Sequence, residues 1–141
     1  MMWFRSYSLA EINSYFAINM TGFLDIKAIS ITEDALVAEM PVNEKVKQPF
    51  GILHGGASVV LAESVGSIAS ALMIDMDKFA AVGLDINANH LRPVTKGKVF
   101  ATCKPFHIGK TTHVWDIRIV DERDKLVCVS RLTMAIIKKP Q

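Results

Sequence analysis

Motifs that bind metals or nucleotides are missing from this sequence. The two cysteines, Cys103 and Cys128, are too far apart for a zinc knuckle, and the four histidines contain no pair spaced as H-x-x-x-H. A phosphate loop of the form G-x-x-x-x-G-K is missing as well. The sequence therefore predicts no metal ion and no cofactor beyond what a substrate itself carries.

A strong charge imbalance and signs of disorder are also missing. Sixteen Lys and Arg residues against fourteen Asp and Glu give a formal net charge of +2, which implies no general attraction to nucleic acid. Because no repeat, low-complexity tract or linker interrupts the chain, we expect a single domain over residues 1–141. No secretory leader is recognised, and both cysteines lie in predicted strands, so we expect a reducing, cytoplasmic location.

Charge is scarce in one long stretch, QPFGILHGGASVVLAESVGSIASALMI, between Gln48 and Ile74. These 27 residues carry one formal charge, Glu63. A lone carboxylate among apolar residues is costly to ionise unless a neighbour compensates it, and such carboxylates concentrate at functional sites. Glu63 is therefore the best candidate for chemistry; the alternative is an ordinary charge on the solvent side of a helix.

The same stretch predicts a long helix that ends near residues 75–78. Its length is sufficient for a membrane span, but a central Glu, four serines and flanking strand patterns favour a helix buried inside a globular protein. Glu63, Gly66, Ser67 and Ser70 recur at i, i+3, i+4 and i+7. We expect them to share one side of the helix, where small residues leave room for another molecule or backbone.

The rest of the chain predicts an α+β fold. A helix behind the Ser8 cap, with Glu11 three residues on, is expected to reach about residue 19 and to pack on the core. Strands are expected at residues 24–31, 36–42, 79–91, 98–107, 112–120 and 126–137. The first two would form a hairpin and the last four a meander, with short connections at 109–110 and 121–124. Because the long helix lacks a wide polar face, we expect a curved antiparallel sheet to wrap around it and a partner subunit to cover the remainder.

Three motifs carry a family resemblance. The segment Q-P-F-G-I-L-H-G-G-A-S, the following L-A-E-S-V-G-S and the later D-I-N-A-N-H-L-R-P resemble the acyl-CoA thioesterases of the hot-dog family. Within that family the likeness is to bacterial 1,4-dihydroxy-2-naphthoyl-CoA hydrolases of menaquinone synthesis and related aryl-CoA hydrolases, and it covers about residues 21–137. It implies a hot-dog fold, hydrolysis of an aromatic acyl-CoA to the free acid and CoA, and a homo-oligomer in which dimers pair into tetramers.

The residues themselves suit this chemistry. Thioester hydrolysis needs a hydrogen-bond donor for the carbonyl oxygen and a base or nucleophile for the carbonyl carbon. The N–H groups of Gly55 and Gly56 would begin the long helix, where unsatisfied donors and the positive end of the helix dipole meet. Glu63 would attack the carbonyl carbon or activate a water, and both roles remain open. Ser67, one turn later, could orient Glu63 or the water, or simply allow close packing.

Two residues before the helix complete the candidate catalytic set. The resemblance implies that Gln48 donates a hydrogen bond to the thioester oxygen. His54 could orient the loop or donate near the thioester, and a purely structural histidine is the alternative.

The spacing of Gly55 and Glu63 predicts a shared site. On one continuous helix, eight residues separate them by about 12 Å along the axis. Reacting atoms must approach within about 3–3.5 Å, so one chain cannot bring both to the same carbonyl. Two antiparallel helices from two subunits would place Gly55 of one beside Glu63 of the other, giving two equivalent sites related by a twofold axis.

The ends of the substrate are less well defined by the sequence. The resemblance implies contacts to the CoA phosphates near Arg92, Lys96 and Lys98, and at a hairpin tip that contains His107, Gly109 and Lys110. The resemblance likewise implies that Gly83 and His90 are substrate-binding residues. An apolar acyl pocket could be lined by Phe50, Val59, Ile68, Leu72 and Met73, although the same residues are also suited to a core.

Other functions remain open at this stage. A hot-dog hydratase or dehydratase would use a histidine base with a differently spaced acidic partner, and a non-catalytic acyl-CoA binding module would need no Glu63. Hydroxybenzoyl thioesters, thioesters on an acyl carrier protein and medium-chain fatty acyl-CoAs are alternative substrates.

Overall fold

A computed structural model describes residues 1–140 of the chain. Its elements, in chain order, are α1 (Leu9–Phe16), α2 (Asn19–Phe23), β1 (Lys27–Ile31), β2 (Leu36–Pro41), a 3₁₀ turn (Glu44–Val46), α3 (Gly55–Met73), β3 (Phe79–His90), β4 (Lys98–Ile108), β5 (Thr112–Val120) and β6 (Leu126–Lys138). The six strands form one antiparallel sheet in the order β1-β2-β4-β5-β6-β3. The predicted arrangement, a sheet wrapped around one long helix, is confirmed.

The predicted four-strand meander is wrong. Strands β4, β5 and β6 do follow one another, with the two short connections where they were expected, but β3 pairs with β6 at the edge of the sheet and β4 pairs with β2. Residues 91–97 carry the chain from β3 to β4. This connection is longer than the two to five residues typical of a hairpin, and alternation of side chains along a strand does not specify its neighbours.

Helix α3 is the centre of the core. It has the length and hydropathy of a membrane span, but nine of its residues are buried in this fold and it contacts five strands of the sheet. Gly66 packs directly on β6, since a Cβ built there would overlap Cδ2 of Leu132. The helix is therefore a core element whose close packing requires small residues.

The four residues predicted to share one side of α3 are divided between two environments. Gly66 and Ser70 are buried, and Ser70 Oγ accepts a hydrogen bond from Nε1 of Trp115 at 2.7 Å. Glu63 and Ser67 are only half-buried. These four residues lie on both sides of the boundary between the packed and the open face of the helix. A step of three residues and a step of four residues move in opposite directions about the helix axis.

The N-terminal segment is shorter and more bent than predicted. Ser8 caps α1 by accepting a hydrogen bond from the N–H of Glu11 at 3.1 Å, as expected, and Ile12 and Phe16 are buried. The helix ends at Phe16, three residues early, because the chain turns at Asn19, where φ is +57°. The short α2 begins at this residue, and the chain reaches the sheet only at Lys27, the start of β1.

Candidate active site

The carboxylate of Glu63 lies against β3. A Cβ built on Gly83 would be 2.9 Å from Oε2 of Glu63, so only a glycine leaves room for the carboxylate in this position. The pairing of β3 with β6 shifts its register between Gly83 and Asp85. Such bulges are frequent beside active sites, where they change the direction of a side chain or backbone.

Glu63 opens into a cavity of about 330 Å³. Its lining combines residues of α3 with residues of the N-terminal helices: Phe16, Met20, Thr21, Val60, Glu63, Ser64, Ser67 and Ile68. Ser67 Oγ donates to Sδ of Met134 at 3.7 Å, which holds the hydroxyl beside the carboxylate rather than bonded to it. Of the predicted site residues, this cavity brings together Glu63, Ser67 and Ile68.

The N-terminal contribution to this cavity was not foreseen. The helix up to about residue 19, which contains Phe16, was expected only to pack on the core, and no role was predicted for Met20 or Thr21. Nothing in the local pattern of residues indicates that the chain folds back over the middle of α3. The structure shows a positive φ at Asn19, a residue type that tolerates this conformation, but an asparagine alone does not predict the turn.

A second cavity, of about 430 Å³, lies at the N-terminus of α3. Its lining includes four of the predicted site residues: Gln48, Gly55, His90 and Arg92. His90 packs directly on the backbone of Gly55, since a Cβ there would lie 2.9 Å from Nε2 of His90. This cavity therefore gathers one end of the predicted site around the first amide of the helix.

Only one of the two expected backbone donors is available at this helix start. His54 is the N-cap of α3, and its Nδ1 accepts the N–H of Gly56 at 2.8 Å. The expectation that Gly56 also serves the carbonyl oxygen is therefore wrong, because its donor is already bonded. The N–H of Gly55 is the remaining candidate, and His54 orients the loop, one of the roles expected for it.

Gln48 closes the turn before the helix. Its backbone N–H donates to Ile52 O at 2.9 Å, its carbonyl accepts from Gly51 at 2.9 Å, and its side-chain Oε1 accepts from the N–H of Phe50. With the oxygen of the side chain occupied, the amide nitrogen is the end that can donate into the cavity. This geometry suits the donor role that the resemblance implied.

Several predicted contacts lie outside both cavities. His107, Gly109 and Lys110 form the β4–β5 hairpin tip, where the N–H of Gly109 donates to Thr112 O at 2.8 Å. The N–H of Gly109 is thus bonded within the hairpin. Lys98 forms an ion pair with Glu39 at 2.8 Å on the outer side of the sheet.

The predicted acyl-pocket residues also divide. Phe50 is 90% exposed and, like Val59 and Met73, lines neither cavity. Leu72 is fully buried in the core and lines neither cavity. Only Ile68 contacts the space beside Glu63. Burial in the fold, which hydrophobicity alone does not specify, decides which apolar residues face a ligand.

A third, basic cavity of about 360 Å³ adjoins the second one through Arg92 and Pro93. Lys96 and Arg123 contribute two further cations, and Asp121 and Glu122 are the acidic residues in its lining. The N–H groups of Lys125 and Arg123, together with the charges of Arg92 and Arg123, lower the pKa of the Asp121 carboxyl. Arg123 was not predicted from the sequence, because it follows β5, whereas Arg92 follows β3, and the two are distant in the chain.

The thiols contribute no nucleophile to these cavities. Burial raises the pKa of Cys103 well above its ordinary value and raises that of Cys128 as well. A reactive cysteine requires the thiolate, which such burial disfavours. Within residues 1–140, no group of three or more His, Cys, Asp or Glu side chains is arranged to hold a metal ion.

The two halves of the predicted site are separate in one chain. The cavity at Gly55 and the cavity at Glu63 share no lining residue. Both residues lie on the single uninterrupted helix α3, so the expected separation of about 12 Å along its axis applies. One subunit therefore holds the donor and the carboxylate at two different places.

Comparisons with known proteins agree with this architecture. Residues 50–128 match the model of the thioesterase superfamily. The chain is 51% identical over 137 residues to the 1,4-dihydroxy-2-naphthoyl-CoA hydrolase of Escherichia coli K12, a match that covers 97% of this chain and 100% of that protein. A mutant thioesterase from Pseudomonas aeruginosa superposes with a TM-score of 0.96 at 43% identity, over 99% of this chain and 100% of that one. A thioesterase from Haemophilus influenzae gives a TM-score of 0.94 at 45% identity, over 98% and 96% of the two chains.

Proposed function

We propose that this chain, which belongs to the thioesterase superfamily and is an acyl-CoA thioester hydrolase, acts on an aromatic acyl-CoA. The leading candidate is 1,4-dihydroxy-2-naphthoyl-CoA, the substrate in the name of the Escherichia coli relative. The products are the free acid and CoA. The proposal needs no cofactor, since CoA arrives with the substrate, and it assigns the enzyme to the cytoplasm.

The observation that carries the mechanism is the separation of Gly55 and Glu63. We propose that two subunits related by a twofold axis set Gly55 of one protomer beside Glu63 of its partner. The half-buried side of α3 and the edge strand β3, with Val82 and Leu84 exposed, support this pairing. An unpaired strand edge offers a row of backbone donors and acceptors to a second copy. Pairing of two such dimers into a tetramer is part of the proposal.

In the shared site, the thioester oxygen accepts hydrogen bonds from the N–H of Gly55 and the side-chain amide of Gln48. The dipole of α3 adds positive potential at the same point. Glu63 of the partner subunit approaches the carbonyl carbon from the other side. As nucleophile, its carboxylate forms a mixed anhydride and expels the CoA thiolate, and water then cleaves the anhydride. As base, it takes a proton from a water that attacks the carbon, and that proton later reaches the departing thiolate.

The carrier end of the substrate fits the basic cavity. Asp121 and Glu122 both accept backbone hydrogen bonds. Asp121 Oδ1 accepts the N–H groups of Arg123 and Lys125 within its own turn, each at 2.9 Å, and Glu122 Oε1 accepts the N–H of Lys98 at the start of β4, at 3.0 Å. The cations Arg92, Lys96 and Arg123 therefore remain to meet phosphates. In the proposed dimer, His107 and Lys110 supply further contacts from the hairpin tip.

The test is a thiol-release assay across a panel of CoA thioesters, comparing wild type with Glu63→Ala. Loss of the base or nucleophile should lower kcat by about 100-fold or more. Glu33→Ala, in the exposed β1–β2 turn, is the matched control and should keep wild-type rates. Equal rates in wild type and Glu63→Ala would remove Glu63 from the mechanism. A product that keeps its thioester would instead indicate a hydratase, and tight binding with no turnover would indicate a binding module.

A further inference from the structure

We propose that the acyl group of the substrate lies in the Glu63 cavity against α1 and α2, and that Met20 determines which acyl groups are accepted. This inference rests on the proposed thioester hydrolysis. It assigns a specificity role to an N-terminal segment outside the residues that supply the donor and the carboxylate.

The direction of the substrate follows from charge. A thioester carbonyl held between Gly55 and Glu63 has two substituents, the carrier thiol and the acyl group, which leave the carbonyl carbon in different directions. The lining of the Glu63 cavity includes no Lys or Arg among the described residues, whereas Arg92 lines both the Gly55 cavity and the adjoining basic cavity. The carrier phosphates belong with the cations, so the acyl group occupies the apolar space beside Glu63.

The walls of this space indicate the class of acyl group. Phe16 presents an aromatic side chain, and Met20, Val60 and Ile68 present aliphatic ones. The volume of about 330 Å³ lies at the lower end of the range for small-molecule pockets, about 300–1,000 Å³. Ser64, the residue after Glu63, adds a hydroxyl to the lining. This combination suits a planar acyl group of one or two rings with a polar substituent near the carbonyl, rather than a long alkyl chain.

Met20 is the variable part of these walls. Phe16 is fully buried and fixed in the core, but α2 buries none of its residues and Met20 is 62% exposed. The turn that carries Met20 is held by local polar bonds, with Thr21 Oγ1 donating to Phe16 O at 2.7 Å. The far end of α2 is held by Lys45, whose Nζ donates to Phe23 O at 2.8 Å. A substitution at Met20 can therefore change the cavity without disturbing the core.

The experiment compares Met20→Trp with Ile18→Trp. Ile18 is a matched control because it precedes the same short helix, is 61% exposed and does not line the cavity. We expect Met20→Trp to lower the ratio of kcat/KM for 2-naphthoyl-CoA to that for benzoyl-CoA by about 10-fold, since the larger ring system meets the added side chain. Ile18→Trp should leave this ratio unchanged, and the conservative Met20→Leu should retain it.

A binding measurement separates this inference from the proposed function. In the Glu63→Gln background, the affinity for 2-naphthoyl-CoA relative to free CoA isolates the contribution of the acyl group. Met20→Trp should reduce that contribution by about 10-fold, whether or not turnover occurs. If the wild type hydrolyses no thioester, the proposed function is overturned. The binding measurement then decides by itself whether Met20 contacts the acyl group. An unchanged kcat/KM ratio together with an unchanged binding difference would overturn the role of Met20.

Discussion

Gly83 of β3 lies directly under the carboxylate of Glu63, close enough that a methyl group on Gly83 would come within 2.9 Å of Oε2. The φ of Gly83 lies outside the left-handed region, so an alanine fits the backbone without strain. The atom that must move in such a variant is Oε2 of Glu63, at the end of a flexible side chain. The contact therefore controls the position of the carboxylate and has little influence on the stability of the fold.

Gly83→Ala should accordingly lower kcat while leaving the unfolding midpoint nearly unchanged. A displacement of about 1 Å at a reacting group can cost about 100-fold in rate. The assay is steady-state thiol release together with urea unfolding. Asn89→Ala, at an exposed position on the same strand, is the control. A fully active Gly83→Ala enzyme would mean that the carboxylate does not act from its position against β3.

The donor role of Gly55 can be tested without breaking the helix. Gly55 is the first residue of α3 after the His54 cap, a position at which proline is well tolerated and at which it removes only the N–H. Gly55→Pro should lower kcat by about 100- to 1,000-fold. Gly55→Ala keeps the N–H and adds the same Cβ beside His90, so the difference between the two variants isolates the hydrogen bond. Equal kcat values for both would assign the loss to His90 displacement alone.

Mixing two inactive variants tests the shared site. If each site takes Gly55 from one protomer and Glu63 from the other, a heterodimer of Gly55→Pro and Glu63→Ala subunits contains one intact site. After joint refolding of equal amounts, random pairing should restore about a quarter of wild-type activity. Each variant refolded alone is the control and should stay inactive. No recovery in a mixture whose heterodimers are verified by mass spectrometry would contradict the two-subunit site.

The carrier phosphates can be tested through Arg92. Arg92→Ala should raise KM for an acyl-CoA by about 10-fold, the loss expected for one hydrogen bond to a charged group, with little change in kcat. The same variant should hydrolyse the N-acetylcysteamine thioester, which has no phosphates, like wild type. Lys98→Ala is the matched cation control, because Lys98 is paired with Glu39 outside the cavity. A fall in kcat with unchanged KM would assign Arg92 to a different task.

Fold stability should depend on pH through His113. Burial, with a smaller contribution from the charge of His107, lowers the pKa of His113, and its Nδ1 lies 2.9 Å from Ser70 Oγ. The unfolded chain therefore binds a proton more readily than the folded one. Stability should be complete above the ordinary histidine pKa of about 6.5 and should fall as the pH drops below it, by at most about 1.4 kcal/mol per pH unit. Urea unfolding between pH 7.5 and 5 measures this, and His113→Gln should flatten the dependence.

The groups of the candidate site could be singled out from the sequence, for identifiable reasons. Glu63 stands out because it is the one charge in a long apolar stretch, and the glycines beside His54 mark a helix start. The predicted separation of Gly55 and Glu63 needed only the rise of an α-helix, and the structure keeps both on one continuous helix. The first two strands were predicted from alternation and the last four from their β-branched and aromatic residues, and β5 was predicted with its full extent.

Other features depended on contacts that no local pattern encodes. Strand order required knowing that β3 pairs with β6, and the loss of the Gly56 donor required the rotamer of His54. The wall formed by Phe16 and Met20 required the turn at Asn19 to bring the N-terminal helices over α3.

The sequence by itself determined the elements and the chemical groups, because helix spacing, strand alternation and isolated charge are properties of neighbouring residues. Only the tertiary structure decided which groups meet: that Glu63 faces Gly83 and Met20, and that it lies in a different cavity from Gly55. The physical reason is that burial and proximity arise from packing between elements distant in the chain. Packing selects among many apolar side chains that are equivalent by composition.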